Sequence, residues 1–275
     1  MNSTQRGNPD FATLAGAIIA IGSIMGGLML EGGSIRDIAQ ITAALMVLGG
    51  TAGAVLISTP FSTFAGAMRS LKLVFFDRPA SASKTLEDIL RLSMKARKTG
   101  ITSLEADALK IQDAFLQKSL NLAVDGTPVS EIRSMMEIEL DQEELRMEAE
   151  AKVFECAGGY APTVGIIGAV LGLIQVMKHL ENIDEVGRGI AVSFVATVYG
   201  VALANLILLP AAAKLKARAA SFIHVRELTL EGVVGIAEAL NPTLLRLKLE
   251  PFVPSTQSAR RLRPAPQATA EPTAA

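Results

Sequence analysis

Cys156-Ala-Gly-Gly-Tyr-Ala-Pro-Thr-Val-Gly-Ile-Ile-Gly-Ala-Val-Leu-Gly-Leu-Ile-Gln-Val-Met177 lies between Glu155 and Lys178 and holds no charged residue. A helix needs about 20 apolar residues to cross a bilayer, so this run is long enough for one span. Three more runs share the property: Phe11 to Leu30, Ile38 to Ser58, and Gly189 to Ala213. The second stays uncharged as far as Arg69, and Pro60 marks a break after the crossing. A buried helix of a soluble protein accounts for one such run, but not for four in a chain of 275 residues. Composition agrees: half the residues are hydrophobic and 19% are charged, against about 25% charged in ordinary soluble domains. Mean hydropathy is +0.38. The first run exceeds the roughly 7–15 apolar residues of a signal peptide, and Glu31–Asp37 offers no A-x-A-like cleavage site, so it reads as a retained span.

Basic residues set the orientation. The connections Glu31–Asp37 and Lys178–Arg188 hold one and two, whereas Arg69–Glu155 holds 13 and the chain from Lys214 holds 9. Arg69, Lys72 and Arg78 follow span two closely, as Lys214, Lys216 and Arg218 follow span four. The positive side is cytoplasmic, so the middle segment, the tail and both termini are expected there. The expected fold is an all-α membrane protein: four transmembrane helices with a helical cytoplasmic domain inserted between spans two and three. Residues 1–68 carry spans one and two, 69–155 the cytoplasmic domain, 156–213 spans three and four, 214–250 cytoplasmic C-terminal helices, and 251–275 a disordered tail.

No Asp, Glu, Lys, Arg or His lies inside the four spans. A proton route through a membrane ordinarily needs an ionisable side chain, so this chain either moves no ions or works with a partner that supplies the acid. The spans carry three GxxxG pairs, Gly22/Gly26, Gly49/Gly53 and Gly168/Gly172, which permit close helix approach within or between chains. Thr163, Ser193, Thr197 and Asn205 either line a wet interface or bond their own helix backbone. Pro162 and Pro210, one in each of the last two spans, are expected to kink them.

Leu86, Ile89, Leu90 and Leu92–Met94 give one cytoplasmic helix, closed by Gly100. Thr102-Ser-Leu-Glu105 has the form of a capping box opening a second helix that carries Leu104, Ala108, Ile111, Phe115 and Leu122 up to Asp125-Gly126. Thr127-Pro128 opens a third, whose acids from Glu137 to Glu150 read as a solvated face. Phe222 to Leu240 is again helical in spacing, and Asn241-Pro242 breaks it. The tail, with Arg260-Arg-Leu-Arg263, reads as disordered. The single cysteine, Cys156, excludes an intramolecular disulfide, and His179 and His224 read as surface residues. There is no P-loop, GxSxG or metal-ligand spacing, so no enzyme and no cofactor is expected. The net charge of -1 gives no reason to expect nucleic acid.

Tyr160-Ala-Pro-Thr-Val-Gly-Ile-Ile-Gly-Ala-Val-Leu-Gly-Leu173 resembles span three of flagellar motor stator A subunits, the MotA/PomA family, and Gly189-Ile-Ala-Val-Ser-Phe-Val-Ala-Thr-Val-Tyr-Gly200 resembles span four. Ala96-Arg-Lys-Thr-Gly-Ile-Thr-Ser-Leu-Glu105, Val124-Asp-Gly126 and Leu230-Glu-Gly-Val-Val-Gly-Ile236 with Asn241-Pro242 are similar to further motifs of that family. The resemblance runs to about Leu249. It implies a pentameric ring around a dimer of single-span MotB/PomB-type B subunits, which bring the membrane aspartate and a peptidoglycan-gripping domain. It also implies inward ion flow that turns the ring against the rotor protein FliG at the cytoplasmic membrane. By the motif match, Arg97 and Glu105 engage the rotor, Pro162 and Pro210 couple ion flow to movement, and Ala169 and Thr197 lie on the ion pathway. Arg97 at a helix C-terminus and Glu105 in a capping box also have purely structural readings. Alanine at 169, where sodium-driven relatives have threonine, removes one oxygen ligand for a hard cation, so protons are the expected ion. Ala239-Leu240 stands where the family commonly has a glycine, a local departure. The second reading is an ExbB/TolQ-like energising subunit for outer-membrane processes, and a third is a membrane scaffold without ion flow.

Overall fold

The computed structural model describes residues 8–77 and 81–253. Of the tail expected from residue 251, residues 254–275 lie outside the described residues, as does Arg78, while Glu250–Phe252 forms a 3-10 turn. The main helices are α1 (Phe11–Leu30), α2 (Ile41–Ser58), α3 (Phe61–Phe75), α4 (Ala82–Thr99), α5 (Ala114–Val124), α6 (Val129–Lys178), α7 (Ile183–Ala237) and α8 (Pro242–Leu249). Four of them, α1, α2, α6 and α7, are long and apolar enough to cross a membrane. Among the described residues the sole strand pairing is a two-residue antiparallel ladder, Asn8–Pro9 with Phe76–Asp77, a minor exception to the all-helical expectation. The described residues form two compact units: 8–77 with 141–221, and 81–140 with 222–253.

In the first unit, α6 and α7 pack backbone against backbone. A Cβ at Gly200 would lie 2.5 Å from the Ala161 carbonyl oxygen and 3.1 Å from the Gly165 Cα. One at Gly165 would lie 2.9 Å from the Ala196 carbonyl oxygen, and one at Gly172 would lie 3.0 Å from the Gly189 carbonyl oxygen. Ala161, Gly165, Gly168 and Gly172 thus face Gly200, Ala196, Ser193 and Gly189, spaced three or four residues apart as one helical stripe requires. Of the three GxxxG pairs, Gly168/Gly172 is used inside the chain. Gly22, Gly26, Gly49 and Gly53 meet no atom within 4 Å of an added Cβ. Beside them, Gly50 admits Val164.

Span two starts at Ile41, three residues later than expected. Ile35–Ile38 is a separate helical turn, and Ala39, at φ −82° and ψ 79°, has the dihedrals of an inverse γ-turn that breaks the chain before α2. Two wide π turns interrupt the spans, Leu45–Gly49 in α2 and Leu203–Leu208 in α7. The second has a visible cause. Pro210 has no N–H for the carbonyl four residues back, and its ring crowds that carbonyl; a wide turn just before it shifts the bonding by a residue. Span three ends at Lys178, one residue from the expected Met177, but it does not start at Cys156: the third cytoplasmic helix and span three are one helix of 50 residues, α6, and span four runs past the expected Ala213 into the C-terminal helix as α7.

The second unit corrects the expectation for residues 102–124. No capping box forms at Thr102–Glu105. Ile101–Leu104 is a 3-10 turn, Glu105–Ala108 a single helical turn, and α5 starts afresh. The hydroxyls of Thr99 and Ser103 lie 2.7 Å apart, and Ser103 Oγ donates to the Gly100 carbonyl at 2.7 Å, so the corner closes on itself. Asp113 then accepts the Leu116 N–H at 2.9 Å and caps α5, which prevents one continuous helix. The Leu230–Ile236 motif is the hub of this unit. Gly232 lets Ile89 of α4 approach, Gly235 lets in Leu245 of α8, and Leu230, Val233 and Val234 are buried. Glu231 accepts from Arg133 at 2.5 Å and lies 2.7 Å from Lys248. The Arg133 hydrogen bond, helped by Lys248 against the cost of burial, holds the Glu231 carboxyl at about 2.

α7 closes in a Schellman turn. Leu240 N–H donates to the Gly235 carbonyl at 3.0 Å and Ala239 N–H to the Ile236 carbonyl at 3.0 Å. Ala239 therefore sits at φ +54°, the left-handed conformation that a glycine adopts without strain. The absent glycine noted in the sequence is felt here.

Three outcomes are expected. Gly200→Ala drives a Cβ into backbone and lowers stability by about 1–3 kcal/mol, while Gly187→Ala, with nothing within 4 Å, does not; folded protein in membranes reads both. Ala239→Gly stabilises the protein by about 1 kcal/mol, read as a raised thermal midpoint of the purified complex. Glu231→Gln loses about 2 kcal/mol at neutral pH. Because folding lowers the Glu231 pKa from 4.5 to about 2, the parent's ion-pair stability is full above pH 4.5 and drains away as pH falls toward 2. A glutamine variant whose stability still falls as steeply across that window would contradict the assignment.

Candidate functional site

The residues expected on the ion pathway lie along the α6–α7 seam. Gly168 meets Ala196, and Gly165 meets the Thr197 Cα, so their neighbours Ala169 and Thr197 stand at the same level of the two helices, both half-buried. Gly158, one turn before Pro162, meets Leu208 and Leu209 beside Pro210. The two prolines therefore lie close to one contact between the same helices. Four polar side chains of spans three and four bond their own helix backbone: Thr163 to Tyr160 at 2.8 Å, Ser193 to Gly189 at 2.9 Å, Thr197 to Ser193 at 3.3 Å, and Asn205 to Val201 at 2.9 Å. Each hydroxyl donates to a carbonyl and keeps its oxygen lone pairs available as acceptors. What the seam lacks is a group that carries a proton, since the spans hold no ionisable residue.

Arg97 and Glu105 flank a corner. Arg97 is in the last turn of α4, where a cation suits the helix dipole, and Glu105 opens the short helix Glu105–Ala108. Gly100 turns the chain between them at φ +84°. Lys95 donates to Asp107 at 2.6 Å across the corner and holds the Asp107 carboxyl below its ordinary range. Arg97 and Glu105 are both exposed, and neither has an ion-pair partner among the described residues. A fixed corner that displays two unpaired opposite charges suits a transient charged contact.

A third polar cluster was not foreseen. Asp10 caps α1 by accepting the Thr13 N–H at 3.2 Å. It also accepts from Lys214 Nζ, which bonds Thr13 Oγ1 as well, and from Arg218 at 3.2 Å. The Lys214 hydrogen bond, followed by that of Thr13, holds the Asp10 carboxyl at about 2. Ser70 donates to Glu150, and Lys216 lies 2.7 Å from Glu155. Asp10 stood in the sequence as a helix-capping type directly before Phe11; its partners, some 200 residues away, left no local trace. Tyr199 was also missed: its hydroxyl reaches Ile38 and Gln40.

Cys156 is half-buried and free, in the middle of α6. His179 lies 3.4 Å from Glu185, and His224 stacks beside Phe252. Among the described residues no group of three or more His, Cys, Asp or Glu could hold a metal ion.

The MotA/TolQ/ExbB proton channel family matches residues 107–228, and the motility protein A N-terminal family matches residues 14–100. Motility protein A of Bacillus subtilis (strain 168) is 34% identical over 90% of this chain and 92% of its own length. Among solved structures, that of C. jejuni MotAB has a chain 31% identical, with a TM-score of 0.86 over 90% of this chain and 97% of that one. The flagellar MotAB stator complex from Bacillus subtilis has one 32% identical, with a TM-score of 0.82 over 92% and 100% of the two chains. The fold of four apolar helices with a helical insert between the second and third is thus that of a known lineage, and the chain belongs to the MotA/TolQ/ExbB proton channel family, in its motility protein A branch.

Proposed function

We propose that this chain is the A subunit of a flagellar motor stator, an inner-membrane protein that joins a single-span MotB/PomB-type partner and converts inward proton flow into torque on the rotor. One observation carries the reading: α6 and α7 form a tight seam edged by the hydroxyls of Ser193 and Thr197, in spans that hold no Asp, Glu, Lys, Arg or His. A partner that brings one membrane carboxylate completes it. The motility protein A match at residues 14–100 and the four apolar helices favour this over an ExbB/TolQ-like energising role.

The residue roles follow. Ala169 and Thr197 border the ion path, and alanine at 169 favours protons over sodium by withholding an oxygen ligand. Pro162 in α6 and Pro210, just after the π turn of α7, allow the seam to deform when the partner's acid changes charge. Arg97 and Glu105 meet charges on FliG. A pentameric ring of A chains is the assembly in which repeated corners meet successive rotor subunits. Both termini are placed in the cytoplasm; the Asp10–Lys214 contact supports this by bringing the start of span one to the end of span four. No residue is assigned a catalytic role.

Deleting the gene is expected to leave intact but paralysed flagella, rescued by the parent gene. Normal swimming combined with failing energised outer-membrane uptake would overturn the stator reading. Arg97→Glu and Glu105→Lys are each expected to cut swimming speed by about two-fold or more, with unchanged amounts in the membrane. Full speed in both reversals would remove these two residues from the rotor contact.

A further inference from the structure

Tyr199 has a role that the family reading does not assign. It lies inside the uncharged run of α7, about 24 Å along that helix from Ile183. Its hydroxyl donates to the Ile38 carbonyl at 2.5 Å and accepts the Gln40 N–H at 3.4 Å. Those two groups flank Ala39, where the chain breaks before α2. The turn itself supplies one bond, from Gln40 N–H to the Ile38 carbonyl at 3.0 Å. The phenol is therefore the side chain that holds this turn, beside a stretch of helix where unsatisfied backbone groups are costly. The ring adds packing: with Leu203 it lies against Ala43, Val47, Val195 and Ala196.

Residues two apart on a helix point about 200° apart, so Tyr199 and Thr197 occupy nearly opposite sides of α7. Thr197 is on the helix that Tyr199 pins, at the level where Gly165 of α6 approaches. We propose that Tyr199 is a positioning residue of the ion pathway: by tying α7 to the turn that opens α2, its hydroxyl sets the rotation of α7 about its own axis and with it the place of Thr197. The hydroxyl touches no ion and acts through Thr197.

This rests on the ion-pathway reading above, and the test separates the two. The complex of this chain with its single-span partner, in a conducting form, is reconstituted in liposomes, and proton uptake is measured per assembled complex under an imposed gradient. Tyr199→Phe keeps the ring and removes the hydroxyl. It is expected to lower uptake per complex by about five-fold, the size of one lost hydrogen bond. Thr197→Ala is measured alone and with Tyr199→Phe. The double variant is expected to lose little more than Tyr199→Phe does, because both changes act on the same group. Uptake per complex that matches the parent overturns the proposal, including when Tyr199→Phe only lowers the amount of complex. Losses that multiply in the double variant also overturn it, since they make Tyr199 independent of Thr197. If the parent complex shows no uptake dependent on the partner's membrane carboxylate, the ion-pathway reading falls and takes this proposal with it.

Discussion

The close approach of α6 and α7 is the constraint on which the first unit depends. Wherever a Cβ at Gly165, Gly172 or Gly200 would meet a main-chain atom, the contact is with the other helix's backbone, which has no rotamer to change. In lipid there is no hydrophobic drive to bring two apolar helices together, so association falls to van der Waals contact between small residues and to scattered hydrogen bonds. The glycines supply that contact. They also explain why the polar residues of the seam are short. Ser193 and Thr197 fit where a longer side chain would part the helices, and each satisfies its hydroxyl on the preceding turn.

One departure from regular helix geometry lies within this close packing, and Pro210 is its cause. Pro210 cannot complete the bonding of α7, yet α7 stays continuous because Leu203–Leu208 takes up the mismatch as a π turn. Pro162 sits in α6 at the corresponding contact, where Gly158 and Gly159 precede it and the chain passes without a break. A kink in one helix alone would open the seam. Gly158 of α6 meets Leu208 and Leu209 beside Pro210, so both prolines lie near one contact of that seam.

The spans were legible because absence of charge over about 20 residues is a long-range, redundant signal. α1 begins and ends where the run between Asp10 and Glu31 predicts. The inner boundaries were harder. A charged cytoplasmic helix and an apolar span read as separate elements by composition, although nothing in the backbone of Val129–Lys178 interrupts them. The corner at residues 100–113 misled because Thr102 and Glu105 have the spacing of a capping box, while the competing bonds of Ser103 and Asp113 show only in three dimensions. Arg97 and Glu105 came from motif resemblance; their exposure and lack of partners could not be read from sequence. Tyr199 reads as another aromatic in an apolar run, since its partners lie some 160 residues earlier.

What the chain leaves uncovered bears on its function as much as what it buries. α1 has no buried residue, and Ile18, Ile19 and Leu30 are 72%, 69% and 91% exposed. It is held near its first turn by Asp10 and, beyond that, presents apolar surface on every side. Gly22, Gly26, Gly49 and Gly53 offer flat faces to no part of their own chain. A helix apolar all round is stable only against lipid or other apolar helices. The same incompleteness holds for the chemistry: the seam has acceptors but no titrating group, and the corner has charges but no counter-charges. The solved relatives of this chain are MotAB complexes, so ion transfer and torque belong to the assembled motor unit and not to the isolated polypeptide.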